Sequence, residues 1–257
     1  MKIKFQKFES GGNDFVLIDN RKNIYNLNSD KIKKICNRNF GVGADGLIII
    51  KKSTIADVKM CYYNSDGKPS TLCGNGTRCL FLFSLNLRIV KKYAKIETSE
   101  GIYSASISDN NLVSLKMKDI DDILLFSNKA YLNTGSPHYV EMVKDLKKIS
   151  VKKMGSSIRF SSKYSPDGTN VNFCNKISNK KFEIRTYERG VEDETLSCGT
   201  GATAVAIAVH AMGLTNQNKI LIKTKGGELI VSFEAYKTGY KNIYLKGPTK
   251  YVFKGEY

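Results

Sequence analysis

Apolar and polar residues alternate in short segments along most of the chain, a pattern that predicts β-strands. In the first half it predicts strands at 2–8, 15–19, 47–50 and 58–63. It also predicts a short helix at 30–37 and a hairpin at 95–117. In the second half it predicts strands at 129–133 and 182–187, a helix around 140–149, and a hairpin at 220–245. Apolar segments of helical length also follow Cys73 and Cys198. Residues 205–212 are apolar on every side, which predicts a helix enclosed by sheet and ended by Gly213.

The second half repeats landmarks of the first half at an offset near 124 residues. Five landmarks keep their order with a drift of only two residues: Ser10-Gly11-Gly12 with Thr134-Gly135-Ser136, Gly43-Ala44-Asp45 with Gly168-Thr169-Asn170, Tyr63-Asn64 with Tyr187-Glu188, Cys73 with Cys198, and Ile96 with Ile222. We therefore expect an N-terminal domain, residues 1–119, and a C-terminal domain, residues 120–247. The predicted fold class is α+β, with two pseudo-symmetric halves. Each half is a mixed β-sheet wrapped around a central helix, and the active site is expected in the cleft between them.

Composition limits the function classes. The net charge is +17, but 34 of the 41 basic residues are lysines spread through the whole chain. Nucleic-acid readers concentrate arginine and aromatic residues on one face, so a solvated lysine surface is favoured over nucleic-acid binding. The longest apolar segment, residues 204–212, is far too short to span a membrane, and residues 1–10 have no signal-peptide pattern. We expect a soluble cytoplasmic protein.

The cysteines are too sparse for a disulfide scaffold: six in 257 residues, with no Cys-x-x-Cys pair and only two histidines in the chain. We therefore predict no metal site. Cys36, Cys61, Cys79 and Cys174 have no partner in the repeat and are expected to be core or incidental residues.

Cys73 and Cys198 each precede a Gly-x-Gly segment that opens a predicted helix. A thiol at a helix start lies among free backbone N–H groups, which favour the thiolate and also bind a carboxylate. Two such units suggest stereoinversion at an amino-acid Cα, in which one thiolate removes a proton and the opposite thiol delivers one. Glycines in both helix starts would let the backbone approach the substrate closely.

Structural explanations compete with functional ones at several positions. Residues 41–46 are glycine-rich but lack the ending of a phosphate loop and precede a strand. His138 is a lone histidine near a turn, which is more often structural than catalytic. Glu188-Arg189 ends a strand, where the two side chains could form a surface ion pair or bind a polar substrate.

Five motifs together resemble the diaminopimelate epimerase family over nearly the whole chain: Gly12-Asn13-Asp14-Phe15, Tyr63-Asn64-Ser65-Asp66-Gly67, Cys73-Gly74-Asn75-Gly76-Thr77-Arg78-Cys79, Tyr187-Glu188-Arg189-Gly190 and Ser197-Cys198-Gly199-Thr200-Gly201. Members interconvert LL- and meso-diaminopimelate, for lysine and peptidoglycan synthesis, without pyridoxal phosphate or metal. The resemblance implies a homodimer whose only other partner is the small-molecule substrate. It also implies that a C-terminal strand, residues 248–257, returns to the first domain.

The resemblance also implies roles for individual residues. Cys73 and Cys198 would be the acid and base. The backbone of four residues would hold the reacting carboxylate: Gly74, Asn75, Gly199 and Thr200. Five side chains would recognise the distal end of the substrate: Asn13, Asn64, Asn170, Glu188 and Arg189. His138 and Glu188 would adjust the thiol pKa values.

Two departures from the family pattern concern the surroundings of the thiols. Ser136 stands where the family commonly has Asn, and the loop at residues 191–195 has one residue more than its counterpart in the first half. Two alternative functions stay open. One is a related racemase acting on proline or hydroxyproline, and the other is a basic binding protein without catalysis.

Overall fold

The computed structural model describes residues 2–70, 73–108 and 112–257. Its strands, in chain order, are β1 (Lys4–Ser10), β2 (Asn13–Asp19), β3 (Gly46–Lys51), β4 (Val58–Asn64), β5 (Tyr93–Thr98), β6 (Gly101–Ile107), β7 (Val113–Lys116), β8 (Ile123–Phe126), β9 (Lys129–Asn133), β10 (Pro137–Met142), β11 (Asn170–Ser178), β12 (Lys181–Glu188), β13 (Asp193–Thr195), β14 (Lys219–Thr224), β15 (Gly227–Tyr236), β16 (Gly239–Gly247) and β17 (Lys250–Glu256). The helices are α1 (Ser29–Cys36), α2 (Gly74–Asn86), α3 (Val151–Arg159) and α4 (Gly199–Ala211), with 3-10 turns at Leu146–Lys148 and Ser162–Tyr164.

The chain forms two compact units, and the C-terminal segment belongs to the first. Unit 1 is Met1–Leu115 with Gly247–Tyr257, and unit 2 is Lys116–Lys246. Strand β17 enters unit 1 by pairing antiparallel with β1, where Lys4 lies opposite Glu256. The chain therefore leaves unit 1 after β7 and comes back to it before β17.

The sheets of the two units have the same order of strand directions. In unit 1 the strands follow the order β17–β1–β2–β3–β4–β5–β6–β7, and only β2/β3 and β4/β5 are parallel. In unit 2 the order is β8–β9–β10–β11–β12–β14–β15–β16, and only β10/β11 and β12/β14 are parallel. Strand β13 pairs with the end of β12. The predicted pseudo-symmetric halves, each with a mixed sheet, are confirmed.

A buried helix lies at the centre of each unit. Helix α2 packs against β1, β2, β3, β4, β6 and β17, and helix α4 packs against β9, β10, β11, β12, β14 and β15. Every residue of α4 from Gly201 to Val209 is buried, because its small and apolar side chains leave no polar face for solvent. Gly213, at φ 72°, ends α4 in the left-handed conformation, and Arg88 does the same for α2 at φ 58°. These contacts confirm the predicted central helices.

One predicted helix is wrong. Residues 140–149 carry apolar side chains at every third position, a spacing that is compatible with a helix. The first part of this segment is instead strand β10, which lies between β9 and β11. The helix of this region is α3, which begins nine residues after the end of β10. Among the helices in the described ranges, none combines the length and the apolar character needed to cross a membrane.

Candidate active site

The two cysteines of the repeat occupy the same structural position in their units. Cys73 is the N-cap of α2, with φ −114° and ψ 111°, and Cys198 is the N-cap of α4, with φ −121° and ψ 112°. Each Sγ accepts a hydrogen bond from the backbone N–H three residues later, at 3.4 Å, from Gly76 and Gly201 respectively. The sulfur thus takes the place that a Ser or Asp oxygen usually has at an N-cap. The unbonded N–H groups and dipole of a helix start favour negative charge there.

In unit 1 the thiol lies beside Asn13. The Cys73 thiol donates to Asn13 Oδ1 at 3.7 Å, and Asn13 Nδ2 donates to Asp45 Oδ2 at 2.6 Å. The structure therefore brings two predicted site residues together and fixes the orientation of the Asn13 amide. Asn64 ends β4, and its backbone closes the predicted turn, since Gly67 N–H donates to Asn64 O at 2.9 Å.

An ion network supports the Asn13 region. Arg38 Nη2 donates to Asp14 Oδ1 and to Asp45 Oδ1, each at 2.7 Å, and the buried Lys7 ammonium lies 2.8 Å from Asp14 Oδ2. Burial alone would raise the pKa of Asp14, but the hydrogen bonds from Arg38 and Lys7 outweigh it and lower the pKa to about 2. Asp14 is consequently ionised at all physiological pH values and joins β2 to Lys7 of β1 and to Arg38.

In unit 2 a buried histidine is held by two hydrogen bonds. His138 Nδ1 lies 3.1 Å from Asn172 Nδ2, and His138 Nε2 lies 3.1 Å from Ser136 Oγ. Burial, reinforced by the charge of Arg189, lowers the pKa of His138 to about 3. The imidazole is therefore neutral at pH 7. Because Asn172 Nδ2 is a donor, Nδ1 accepts and Nε2 carries the proton that it donates to Ser136.

Ser136 also links His138 to the predicted substrate-binding residues. Asn170 Nδ2 donates to Ser136 Oγ at 3.1 Å and to Pro137 O at 3.0 Å. Asn170 Oδ1 accepts from the backbone N–H of Arg189 at 2.9 Å. Ser136 thus joins His138 and Asn170 in one network.

The start of α4 is tied to the rest of unit 2 by threonines. Cys198 Sγ lies 3.4 Å from Thr200 Oγ1, and Thr134 Oγ1 donates to Thr200 O at 3.0 Å. Cys198 is buried, whereas Cys73 is partly exposed. Thr134 lies in the loop between β9 and β10. Its hydrogen bond to the carbonyl of Thr200 holds the first turn of α4 in a fixed position.

Arg189 and Glu188 lie at the end of β12, where a cavity opens. The cavity has a volume of about 510 Å³, and its lining includes Arg189, Pro137, Tyr131 and Asp167. Arg189 Nη1 donates to Asp167 O at 3.3 Å, which turns the guanidinium toward this cavity. A larger cavity of about 780 Å³ lies in unit 1, and its lining includes none of the predicted site residues.

Comparison with known proteins identifies the family. The sequence profile of diaminopimelate epimerase matches residues 5–120 and 130–252. The chain is 48% identical over 253 residues to the diaminopimelate epimerase of Flavobacterium psychrophilum, covering 98% of this chain and 99% of the relative. It is 40% identical over 252 residues to that of Chlorobaculum tepidum, covering 95% of this chain and 97% of the relative. The chain belongs to the diaminopimelate epimerase family.

Solved structures share the fold of this diaminopimelate epimerase family member at low sequence identity. A PhzF-family phenazine biosynthesis protein of Bacillus anthracis superposes with a TM-score of 0.76 and 16% identity, covering 100% of this chain and 99% of that one. A hydroxyproline epimerase of Agrobacterium vitis, bound to trans-4-hydroxy-L-proline, superposes with a TM-score of 0.74 and 13% identity, covering 100% and 91%. At these identities the likeness shows the fold alone, and it agrees with the predicted fold class.

Sequence reasoning gave no role to one buried residue that contacts the predicted site residue His138. Asn172 is fully buried on β11 and joins three elements. Its Nδ2 group contacts His138 and donates to Tyr139 O at 2.9 Å, and its Oδ1 accepts from Thr186 Oγ1 at 3.0 Å. The signal was available, because an Asn inside an apolar strand must find buried partners.

The remaining cysteines of this family member differ from the matched pair. Burial raises the pKa of Cys36 to about 12 and raises those of Cys79 and Cys174 well above the usual value. Burial also raises the pKa of the half-buried Cys61. These thiols are therefore neutral at physiological pH, as expected of core residues.

Proposed function

We propose that this protein interconverts LL- and meso-diaminopimelate, with Cys73 and Cys198 as the two bases and without metal or pyridoxal phosphate. The observation that carries the proposal is the matched pair of helix starts. Each is capped by a cysteine with nearly the same backbone angles and the same 3.4 Å hydrogen bond from an N–H three residues on. Membership in the diaminopimelate epimerase family supports the choice of substrate.

The proposed reaction inverts one Cα by moving two protons. The thiolate of one cysteine takes the proton from Cα, and the C–H electron pair moves into the carboxylate to form an enediolate. The thiol of the other cysteine gives its proton to the opposite face of the same carbon. The two cysteines thus exchange protonation states, and the reverse reaction or solvent exchange restores them.

Backbone N–H groups would stabilise the charge of the intermediate. Gly74 and Asn75 in α2, and Gly199 and Thr200 in α4, lie in first helical turns, where the backbone N–H groups point out of the helix start. We assign these groups to the two oxygens of the reacting carboxylate. Their fixed orientation means that little reorganisation is needed as the charge develops.

Distal recognition is assigned to charged and amide side chains of both units. Arg189 would form two hydrogen bonds with the distal carboxylate, and Glu188 would accept from the distal ammonium. Asn13, Asn64 and Asn170 would complete the polar contacts. The hydrogen bonds that Asn13 donates to Asp45 and that Asn170 donates to Ser136 support this assignment, because they hold two of the three amides in one orientation. His138 and Glu188 would adjust the pKa values of the two thiols.

The organisation of the molecule completes the proposal. We take residues 1–119 with 248–257, and residues 120–247, as the two domains, and a homodimer in the cytoplasm as the working form. The domain assignment is supported by compact units that divide within a few residues of these positions. Sedimentation equilibrium measures the dimer, and a monomer at micromolar concentration would contradict it.

Solvent exchange tests the function. The protein is incubated with LL-diaminopimelate in deuterium oxide, and the meso product is collected early and analysed by NMR and mass spectrometry. We expect one deuterium at one inverted Cα and none at the distal Cα. Failure to exchange would overturn the proposed function. Exchange with L-proline or trans-4-hydroxy-L-proline instead would favour the related racemases, and no exchange with any of the three would favour a binding protein.

A further inference from the structure

Asn172 occupies a position at which unit 1 has an apolar residue. Asn172 lies opposite Thr186 in the pairing of β11 with β12, and Ile48 has the same place in the pairing of β3 with β4. The central helices show the same match, because a Cβ on Gly201 of α4 would meet Asn172 Oδ1, whereas a Cβ on Gly76 of α2 would meet Ile48 Cδ1. Packing against the central helix therefore does not require an amide at this position. The reason for the amide lies in its polar partners.

The orientation of the Asn172 amide is fixed by these partners. Tyr139 O, 2.9 Å away, is a carbonyl oxygen that can only accept, so the atom that faces it is the amide nitrogen. Thr186 Oγ1 donates to the amide oxygen at 3.0 Å. The amide nitrogen has a second proton, and His138 Nδ1 lies 3.1 Å from it. A ring nitrogen that faces an N–H donor must accept, so the proton of the neutral imidazole is on Nε2.

The orientation of the Asn170 amide follows from the same reasoning. Its oxygen lies 2.9 Å from the backbone N–H of Arg189, a group that can only donate. Its nitrogen therefore faces Ser136 Oγ at 3.1 Å and Pro137 O at 3.0 Å. Asn170 is thus a second donor to Ser136.

Ser136 is left with one proton and no lone pair to offer. Its Oγ accepts from His138 Nε2 and from Asn170 Nδ2, each at 3.1 Å. A hydroxyl group has two acceptor lone pairs and one proton, so both lone pairs are used. No acceptor for the Ser136 proton is present among the described residues, and the side chain is partly exposed. A bound ligand must therefore present an acceptor here, which a carboxylate has and an ammonium group does not.

We propose that Asn172 is a positioning residue that keeps the His138 proton on Nε2 and thereby makes the Ser136 hydroxyl a donor toward a carboxylate of the substrate. The proposal rests on the proposed function for the identity of that carboxylate. Arg189 is assigned to the distal carboxylate, and Asn170 joins the Arg189 backbone to Ser136. The distal carboxylate is therefore the group that Ser136 binds.

NMR of the histidine rings in the unmodified protein, without substrate, gives the first test. The chain has two histidines, so uniform 15N labelling gives two ring systems, which His210→Gln assigns. Ring nitrogens with and without a proton are chemically distinct and have different 15N shifts. At pH 7 we expect the proton of His138 on Nε2. A proton on Nδ1 overturns the proposal.

Variants at the two ends of the Asn172 amide test the cause. Asn172→Asp places an acceptor opposite His138 Nδ1, so this nitrogen should take up a proton. Thr186→Val is the matched control, because it removes the hydrogen bond to the amide oxygen and keeps the amide nitrogen, so Nδ1 should stay without a proton. A proton-free Nδ1 in Asn172→Asp, or a protonated Nδ1 in Thr186→Val, overturns the proposal.

The unmodified protein keeps the test decisive if Asn172→Asp does not fold. A 15N–15N coupling across the hydrogen bond from Asn172 Nδ2 to His138 Nδ1 would then identify the donor directly. Its presence supports the proposal, and its absence overturns it.

Kinetics test the consequence for the substrate. Ser136→Ala should raise KM for LL-diaminopimelate about tenfold or more and change kcat by less than about threefold, because the lost hydrogen bond is to a charged group away from the reacting carbon. Ser161→Ala removes a hydroxyl that donates to Ile158 O outside this network, and its KM should stay within about twofold. An unchanged KM in Ser136→Ala overturns the donor role of Ser136. No turnover by the unmodified protein would instead reject the proposed function, and the NMR results would still decide the role of Asn172.

Discussion

Replacing Gly201 by alanine should damage unit 2 at the point where α4 meets β11. A Cβ at this position would collide with Asn172 Oδ1 and lie 3.3 Å from Cys198 Sγ. Asn172 cannot move away freely, because its amide is fully buried and bonded to His138, Tyr139 and Thr186. The glycine is needed here for the close approach of a side chain to the helix backbone.

The expected loss in the free energy of unfolding follows from the hydrogen bonds of Asn172 that the substitution would break. Moving the amide breaks the Thr186–Asn172 hydrogen bond and distorts the contact with His138. Buried groups left without partners cost about 1–3 kcal/mol each, so two give roughly 4 kcal/mol. Alanine in a helix interior recovers about 1 kcal/mol relative to glycine. The net loss is therefore about 3 kcal/mol, or a decrease in Tm of about 6–12 °C for a chain of this size.

Gly76, at the matched position of α2, offers the control. An alanine Cβ there would lie 3.0 Å from Ile48 Cδ1 and 3.4 Å from Met60 Cε. The Ile48 and Met60 atoms are the mobile ends of flexible apolar side chains, which can move by a few tenths of an ångström. The third neighbour, Phe15 Cε1, would lie 3.4 Å away, an ordinary van der Waals contact. We expect Gly76→Ala to stay within about 1 kcal/mol of the unmodified protein, because strain and helix propensity nearly cancel.

Urea unfolding of both variants, followed by circular dichroism and differential scanning calorimetry, measures the difference. The deuterium-exchange rate should also fall more in Gly201→Ala, because Cys198 Sγ and the first turn of α4 are displaced with the amide. The reasoning is refuted if Gly201→Ala is as stable as the unmodified protein, or if Gly76→Ala is the less stable of the two.

Two further predictions concern the thiols and the histidine. Cys73→Ser and Cys198→Ser should each slow epimerisation by about a hundredfold or more, because a hydroxyl is a far weaker acid than a thiol, whereas Cys61→Ser should stay within about twofold. Near-normal rates in either variant would remove that residue from the mechanism. Burial lowers the pKa of His138 to about 3, whereas in the unfolded chain it lies near 6.5. The contribution of the neutral buried imidazole to stability is therefore present above pH 6.5 and is lost as the pH falls toward 3, because the unfolded chain takes up the proton first. Urea unfolding should therefore show the advantage of the unmodified protein over His138→Gln shrinking by about 2 kcal/mol between pH 7 and pH 5. A stability difference between the unmodified protein and His138→Gln that is the same at both pH values would contradict this.

The repeat made most of the fold predictable. Landmarks at a nearly constant offset indicated two similar halves, and cysteines before Gly-x-Gly segments indicated both central helices. The helix predicted around 140–149 failed because it was placed earlier in the chain than the offset of the repeat requires. Helix α1 begins at Ser29, and the same offset places its counterpart near residue 153, within α3 (Val151–Arg159). Periodicity over ten residues does not distinguish a helix from a strand that joins a 3-10 turn.

The residues that sequence reasoning did not assign are those at which the halves differ. A repeat identifies what both halves share, such as the capping thiols, and it gives no role to a position occupied by Ile48 in one half and Asn172 in the other. The sequence marked Asn172 as a polar residue in an apolar strand but could not name its partners, since His138 and Thr186 lie on other strands and become neighbours only through strand pairing. The shared geometry suits a reaction that is nearly symmetric about one carbon.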